Sequence, residues 1–353
     1  MSEVPAAEPP TDGPALADPA TARALRALRA PLVGLPLTAL VLGVPAVLFS
    51  GLASILFTMA ALAFVIGTLV VVATTAFWIG PATTLLREQP WRPARVRVYR
   101  PLKGLPRTPL RLREADGTTT DLLAPALSWT AQQVLARTGR VWLVGPDERG
   151  WAAIRSPGLA LPLGQAKVAD VDIAGGFEVS PVQTAPETAP TAGQDAVLAR
   201  AIAAPRRRSK TDLLAPGLLL AFAVFVLVDL LRKGVDGRTE LLLGLLVATA
   251  LILALLGWRI YRMRHWSRVG KLLDAGSWTP VPVELDLTEA RTVTARATLP
   301  DGRTAPVRFH RASRALLANI AATGRMWTAG APADGQVAVG LPGYPFLTVA
   351  RIG

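Results

Sequence analysis

The sequence predicts an α-helical membrane protein, with four transmembrane helices as two hairpins, that also carries two small β-rich domains related by internal duplication. Three observations lead there. No charged residue occurs from Ala30 to Leu86, a run of 57, whereas a helix crossing a bilayer takes about 20 apolar residues. The mean hydropathy of the 353-residue chain is +0.38, and its charges are concentrated outside two apolar blocks. Finally, two polar regions match each other at a constant offset of 185.

Residues 1–22 are rich in Ala, Pro and acidic side chains without an apolar period. Such a segment buries too little surface to offset its ordering entropy, so residues 1–29 are expected as a disordered tail. Its acidic start lacks the basic n-region of a secretory signal. The run at 30–86 fits two crossings, about 31–49 and 53–77, broken near Phe49-Ser50-Gly51, with Trp78 and Pro81 marking the exit. A β domain is expected over 88–172, then a Gly, Pro and Thr-rich linker over 173–211. The second apolar block, 212–258, gives spans of about 213–231 and 241–258 around a polar turn. A basic juxtamembrane segment, 259–275, leads to the second β domain, 276–353.

Basic residues assign the sides of the membrane. Arg23, Arg26 and Arg29 precede the first span, Arg87, Arg92, Arg95 and Arg97 follow the second, and Arg206, Arg207, Arg208 and Lys210 precede the third. Arg259, Arg262, Arg264, Arg268 and Lys271 follow the fourth. By the positive-inside rule both termini and both β domains are then cytoplasmic, and the expected site is the bacterial cytoplasmic membrane. Only the turn with Arg232, Lys233 and Arg238 dissents.

Comparing 116–158 with 301–343 gives 14 identities in 43 positions. They include Asp116-Gly117 with Asp301-Gly302, Thr138-Gly139-Arg140 with Thr323-Gly324-Arg325, Trp142 with Trp327, and Pro157-Gly158 with Pro342-Gly343. Trp91 and Trp278 begin the two copies. Within a copy, Arg95–Tyr99 and Leu110–Arg113 alternate with period two, as half-buried strands do. Asp116-Gly117 is a hairpin turn signal. A helix is expected from a Ser128 or Ser313 cap to a Gly139 or Gly324 terminus. Three strands, a helix and two or three more strands is the order of an OB-like barrel, with an SH3-like barrel or an α+β sheet as alternatives.

Arg-biased composition, the Ala/Pro-rich start, paired spans and the Gly-Arg-x-Trp stretches at 139–142 and 324–327 resemble uncharacterised multi-pass integral membrane proteins of actinobacteria. That resemblance is architectural and implies no activity or site.

The chain has no Cys and two His, His265 and His310, which excludes disulfides, thiolate catalysis and Cys-based metal sites. No pair of carboxylates, nucleophile with base, or metal-ligand spacing emerges, so the expectation is a non-enzymatic protein without cofactor or metal. Asp229, the ionisable residue within a predicted span, is the candidate intramembrane functional group; an interfacial ion pair with Arg232 and Lys233 is the alternative. Trp142, Trp327, Arg140 and Arg325 are candidate domain-interaction or structural positions, the tryptophans being expected to pack under the helix. Arg87, Arg92, Arg95, Arg97, Arg259, Arg262, Arg264 and Arg268 are expected to contact anionic inner-leaflet lipid. The second copy replaces much of the first copy's basic stretch with Glu284, Asp286 and Glu289, which disfavours nucleic acid as a common partner. The expected function is an anchor or scaffold presenting two β domains to a protein partner or a second copy. The alternatives are a transporter or channel subunit and a lipid or nucleotide sensor.

Overall fold

The structure is a computed structural model that describes residues 6–48, 51–73, 77–100, 107–125, 127–158, 162–169, 173, 176–182, 190–211, 213–233, 239–286, 293–310 and 312–353. In chain order, a 3-10 turn at Ala15–Ala17 leads into α1 (Pro19–Leu48), α2 (Gly51–Val71) and α3 (Phe77–Glu88). Strands β1 (Arg92–Val98), β2 (Arg107–Arg113) and β3 (Thr119–Pro125) follow, then α4 (Trp129–Thr138), β4 (Arg140–Val144), β5 (Trp151–Arg155) and β6 (Pro162–Val168). A second 3-10 turn, Ala192–Gln194, precedes α5 (Ala196–Thr211), α6 (Leu214–Lys233) and α7 (Thr239–Leu273). The chain ends with β7 (Trp278–Asp286), β8 (Thr294–Thr298), β9 (Thr304–His310), α8 (Arg314–Thr323), β10 (Arg325–Ala329), β11 (Gly335–Gly340) and β12 (Leu347–Ile352). It divides into two compact units, one of residues 1–26, 78–202 and 269–353, the other of residues 27–77 and 203–268.

The first unit holds two closed, six-stranded antiparallel barrels with the same strand order, β1-β2-β3-β6-β5-β4 and β7-β8-β9-β12-β11-β10. An OB-like barrel is five-stranded and partly open; here the last strand pairs on both sides, β6 with β3 and β5, and β12 with β9 and β11. Closure leaves no unpaired edge. Alternation sends Ala94, Val96, Val98, Leu110 and Leu112 inward to a core shared with Leu135 of α4, Val141, Leu143 and Ile154. The helices start and stop where short-range chemistry dictates. Ser128 Oγ accepts the Ala131 N–H and Ser313 Oγ the Leu316 N–H, each at 3.2 Å. Gly139 and Gly324 end them in the left-handed conformation, at φ +58° and +62°.

The second unit is helical. Among the described residues two helices, Pro19–Leu48 and Leu242–Leu273, are long and apolar enough to cross a membrane, with a shorter apolar stretch at Phe57–Val71. α1 and α2 run antiparallel: Ser54 Oγ donates to the Ala46 carbonyl at 2.7 Å, while Gly67 meets Leu35. Val33, Leu40, Val47, Phe222 and Phe225 stand exposed, Val47 at 85%.

Beyond the residues expected to mark the exit, Trp78 and Pro81, the apolar run continues in α3, whose Ala82, Leu85 and Leu86 pack in the first unit with Trp91 and Trp142. The structure departs from the sequence reading in two segments. The expected disordered tail is ordered from residue 6. There Ala15 is buried and its N–H bonds the Gln89 carbonyl, because the outer face of β4 and β5 supplies a partner that composition does not reveal. Parts of the expected linker are likewise seated. Val179 N–H bonds the Val98 carbonyl, Val182 N–H bonds Gln133 Oε1, and residues 196–211 are helical.

Candidate functional site

The residues singled out from the sequence occupy different settings. Trp142 does not pack under α4. Val141 and Leu143 take the inward positions, so by alternation Trp142 faces out from β4 and is covered by Ala82, Leu85 and Leu86 of α3 and by Trp91. Trp327 is equally buried, at 9% exposed. Neither offers a ring face to solvent, which leaves both as packing residues. Arg140 begins β4 and pairs with Glu8 at 3.1 Å; Arg325 begins β10 and is exposed. Arg92 pairs with Glu114 at 2.8 Å and donates to the Gly145 carbonyl. Arg87 lies exposed in the last turn of α3, Arg95 and Arg97 on the outer face of β1, and Arg259, Arg262, Arg264 and Arg268 along α7. Asp229 is half-buried on α6.

What the structure brings together is a pair of polar latches. In the first, Asp18 precedes α1 and accepts the backbone N–H groups of Ala20 and Thr21 and the Thr21 hydroxyl, at 3.1, 2.9 and 2.8 Å. Arg155 on β5, with 3% of its side chain exposed, donates to Asp18 Oδ2 at 2.6 Å and to Thr21 Oγ1 at 3.1 Å. The Trp91 indole N–H also reaches Thr21 Oγ1, at 3.4 Å. Burial alone raises the Asp18 pKa. The Thr21 and Ala20 hydrogen bonds and Arg155 outweigh it and hold the carboxyl below its ordinary value.

In the second latch Asp195 precedes α5 and accepts N–H groups from Val197 and Leu198 at 3.0 and 3.2 Å. Its other oxygen accepts the Gly343 N–H, from the loop between β11 and β12, at 2.5 Å. Here Leu198 stands where the first copy has Thr21, and Gly340 where it has Arg155. Trp278, the counterpart of Trp91, lies against Gly340. Its indole N–H is the one fully buried side-chain polar atom among the described residues without a hydrogen-bond partner; the threonine that serves Trp91 is missing from this copy.

Without an arginine opposite it, Asp195 is pushed up by burial, and the hydrogen bonds from Gly343, Leu198 and Val197 and the charge of Arg137 do not restore it. The folded chain therefore holds this proton more tightly than the unfolded chain does. Stability from this group is complete below the unfolded pKa and is lost as pH rises through the raised folded value. Asp195→Asn removes the charge but turns one of the two accepting oxygens into an amide donor that faces a backbone N–H. In thermal unfolding of the full chain it is expected to fall below the native protein at about pH 4, with the margin narrowing toward about pH 7 as the native carboxylate ionises. A margin that does not change with pH contradicts this.

The two barrels meet reciprocally. From α8, Asn319 donates to the Gly158 carbonyl at 2.7 Å and accepts the Ala7 N–H at 2.8 Å, while Gly158 N–H bonds the Ala7 carbonyl. From α4, the Arg137 guanidinium lies 5.1 Å from the Tyr344 ring centroid, beside Gly343. Gly158 and Gly343 are equivalent in the repeat, so each barrel's helix grips the Pro-Gly turn of the other. Arg200 of α5 stacks over Trp129 of α4 at 4.4 Å.

Asp18, Asp195, Arg155, Asn319 and Arg137 were not singled out from the sequence. A signal for the latches was present: Ala-x-x-Asp-x-x-x-Ala-Arg-Ala occurs at 15–24 and at 192–201. Its offset is 177, so a search in the 185 register passes over it. Both first alanines are buried, and each donates its N–H to a carbonyl two residues before a barrel's opening tryptophan, Gln89 before Trp91 and Gly276 before Trp278. The duplicated unit is therefore a capped leader, helices and a barrel.

Among the described residues no group of three His, Asp or Glu side chains is placed to hold a metal ion. The junction's groups are committed to one another, an arrangement that holds surfaces in register. Comparison of the chain with known protein families, with characterised proteins and with solved structures gives no match.

Proposed function

We propose that this chain is an integral membrane anchor or scaffold whose joined barrels form one cytoplasmic head for a protein partner. The observation that carries the reading is the reciprocal grip of the barrels, Asn319 on Gly158 and Arg137 at Tyr344, which joins the two copies into one body. In this reading α1, α2, α6 and α7 are four crossings in two hairpins. Their exposed apolar side chains face lipid, since contiguous apolar surface of this extent is costly in water. A transporter reading rests on Asp229 alone, and unchanged flux in Asp229→Asn would remove it.

Orientation is tested readily because the native chain has no Cys. Single cysteines at Ser50 and Thr239 are expected to react with an impermeant maleimide in intact cells. Cysteines at Glu148 and Asp301, both exposed at barrel turns, are expected to react only after lysis. The reverse pattern overturns a cytoplasmic head. Extraction of the whole chain by alkaline carbonate overturns the integral reading.

A further inference from the structure

Strand register assembles a cationic surface on the first barrel. The outward residues of β1 and β2 include Arg95, Arg97, Arg111 and Arg113, and the pairing sets Arg95 directly opposite Arg113 and Arg97 opposite Arg111. On its other side Arg95 is opposite Arg140. One row of three arginines, Arg140–Arg95–Arg113, thus crosses three adjacent strands, above a second row, Arg97–Arg111–Asp121. Like charges directly opposite one another in a sheet are unfavourable. Internal counter-charge reaches Arg140, through Glu8, and Arg111, through Asp121. Among the described residues no carboxylate pairs with Arg95, Arg97 or Arg113, which are all exposed.

The second barrel serves as an internal control. It has the same strand order and closure, yet carries Pro282 for Arg95, Glu284 for Arg97 and Thr298 for Arg113. There Glu284 stands opposite Arg296, an attractive pair. The fold therefore does not require the arginine rows, and their repulsion calls for an external anion.

We infer that this face of the first barrel docks on anionic phospholipid headgroups, with Arg95, Arg97 and Arg113 as the contact residues. The inference rests on the membrane reading above; it narrows the anionic-lipid contact expected of Arg95 and Arg97 to one barrel face, adds Arg113 by register and confines that face to the first copy. Guanidinium groups match phosphate oxygens in forked pairs. Basic clusters close in sequence to an apolar span gain most from an anionic leaflet, and Arg95 follows the end of α2, Val71, by only 24 residues. Single-stranded nucleic acid is the other polyanion with matching charge, but its binding relies on exposed aromatic platforms. The described outward residues of β1, β2 and β3 include none.

The test uses the full chain with a single cysteine at Thr119, which is exposed and directly opposite Arg113. The cysteine carries an environment-sensitive fluorophore, and the protein is reconstituted into vesicles containing headgroup-quencher lipid. The vesicles are phosphatidylcholine alone or phosphatidylcholine with phosphatidylglycerol. Quenching is expected in the anionic vesicles, with relief by added salt. The double variant Arg97→Glu/Arg113→Thr, which installs residues the second barrel already accommodates, is expected to abolish it. Equal quenching in neutral vesicles, or persistence in the double variant, overturns the inference. So does arginine-dependent binding of a single-stranded oligonucleotide by protein in neutral vesicles. Alkaline carbonate separates the two levels: protein washed off the vesicles defeats the membrane reading, whereas inserted protein without quenching defeats only the docking face.

Discussion

Asp18→Ala should be among the most damaging single substitutions in the barrel-bearing unit, at about 3–5 kcal/mol. The change leaves Arg155 with 3% of its side chain exposed and its carboxylate partner gone. It also removes the acceptor for the first N–H groups of α1. Arg155→Met alone should cost nearly as much, since Asp18 is then buried without its cation. The double variant Asp18→Ser/Arg155→Met removes both charges and keeps a helix cap, so most of the loss should be recovered. Thermal unfolding of the full chain, followed by tryptophan fluorescence, reads this directly because Trp91 lies on the latch. A double variant no better than the singles contradicts a paired latch. The pH dependence follows from the depressed Asp18 pKa. Its contribution is present above the unfolded value, about 3.9, and lost as pH falls through the lower folded value. The two latches therefore respond to acid with opposite sign, although their backbones are equivalent.

Gly158→Val should open the junction between the barrels at a cost of about 3 kcal/mol, the sum of backbone and packing effects. Gly158 sits at φ +71°, where a β-branched side chain is strained, and its added Cβ would lie 2.8 Å from Tyr344 Cε1 and 3.1 Å from Ala6 Cβ. Tyr344 belongs to the second barrel and Ala6 to the N-terminal segment that Asn319 holds through Ala7, so relief requires the second barrel and that segment to move away from Gly158. Gly117→Val is the matched control. It shares a positive φ, +87°, but its Cβ meets nothing within 4 Å, so it should lose only the backbone contribution. Hydrogen exchange distinguishes them. In Gly158→Val the amide of Ala7, bonded across the junction to Asn319 Oδ1, and that of residue 158, bonded to the Ala7 carbonyl, should exchange together and much faster, whereas Gly117→Val should leave them protected. Unchanged protection in Gly158→Val would mean that the barrels are held elsewhere.

Local and periodic features were legible in the chain. The period-two strands, the Asp-Gly turns, the Ser128 and Ser313 caps and the glycines ending α4 and α8 depend on a few neighbouring residues, and they stand in the structure where the pattern set them. The duplication was legible because turns and caps preserve identity. Closure of the barrels was not, because a sixth strand is recognised only by the two strands it joins, far away in sequence.

By itself the sequence determined two apolar blocks, a repeated β domain with one capped helix, and an arginine-rich first strand, since each is a matter of composition or short period. Only the tertiary structure decided that α3 turns Ala82, Leu85 and Leu86 onto the outer face of the first barrel. The acidic N-terminal segment is likewise ordered because Arg155 lies buried across 137 residues of chain from Asp18. Strand pairing set Arg95 beside both Arg113 and Arg140. Burial, pairing and like-charge crowding are properties of residues brought together from afar, and a linear pattern carries the propensity of each without the identity of its neighbour.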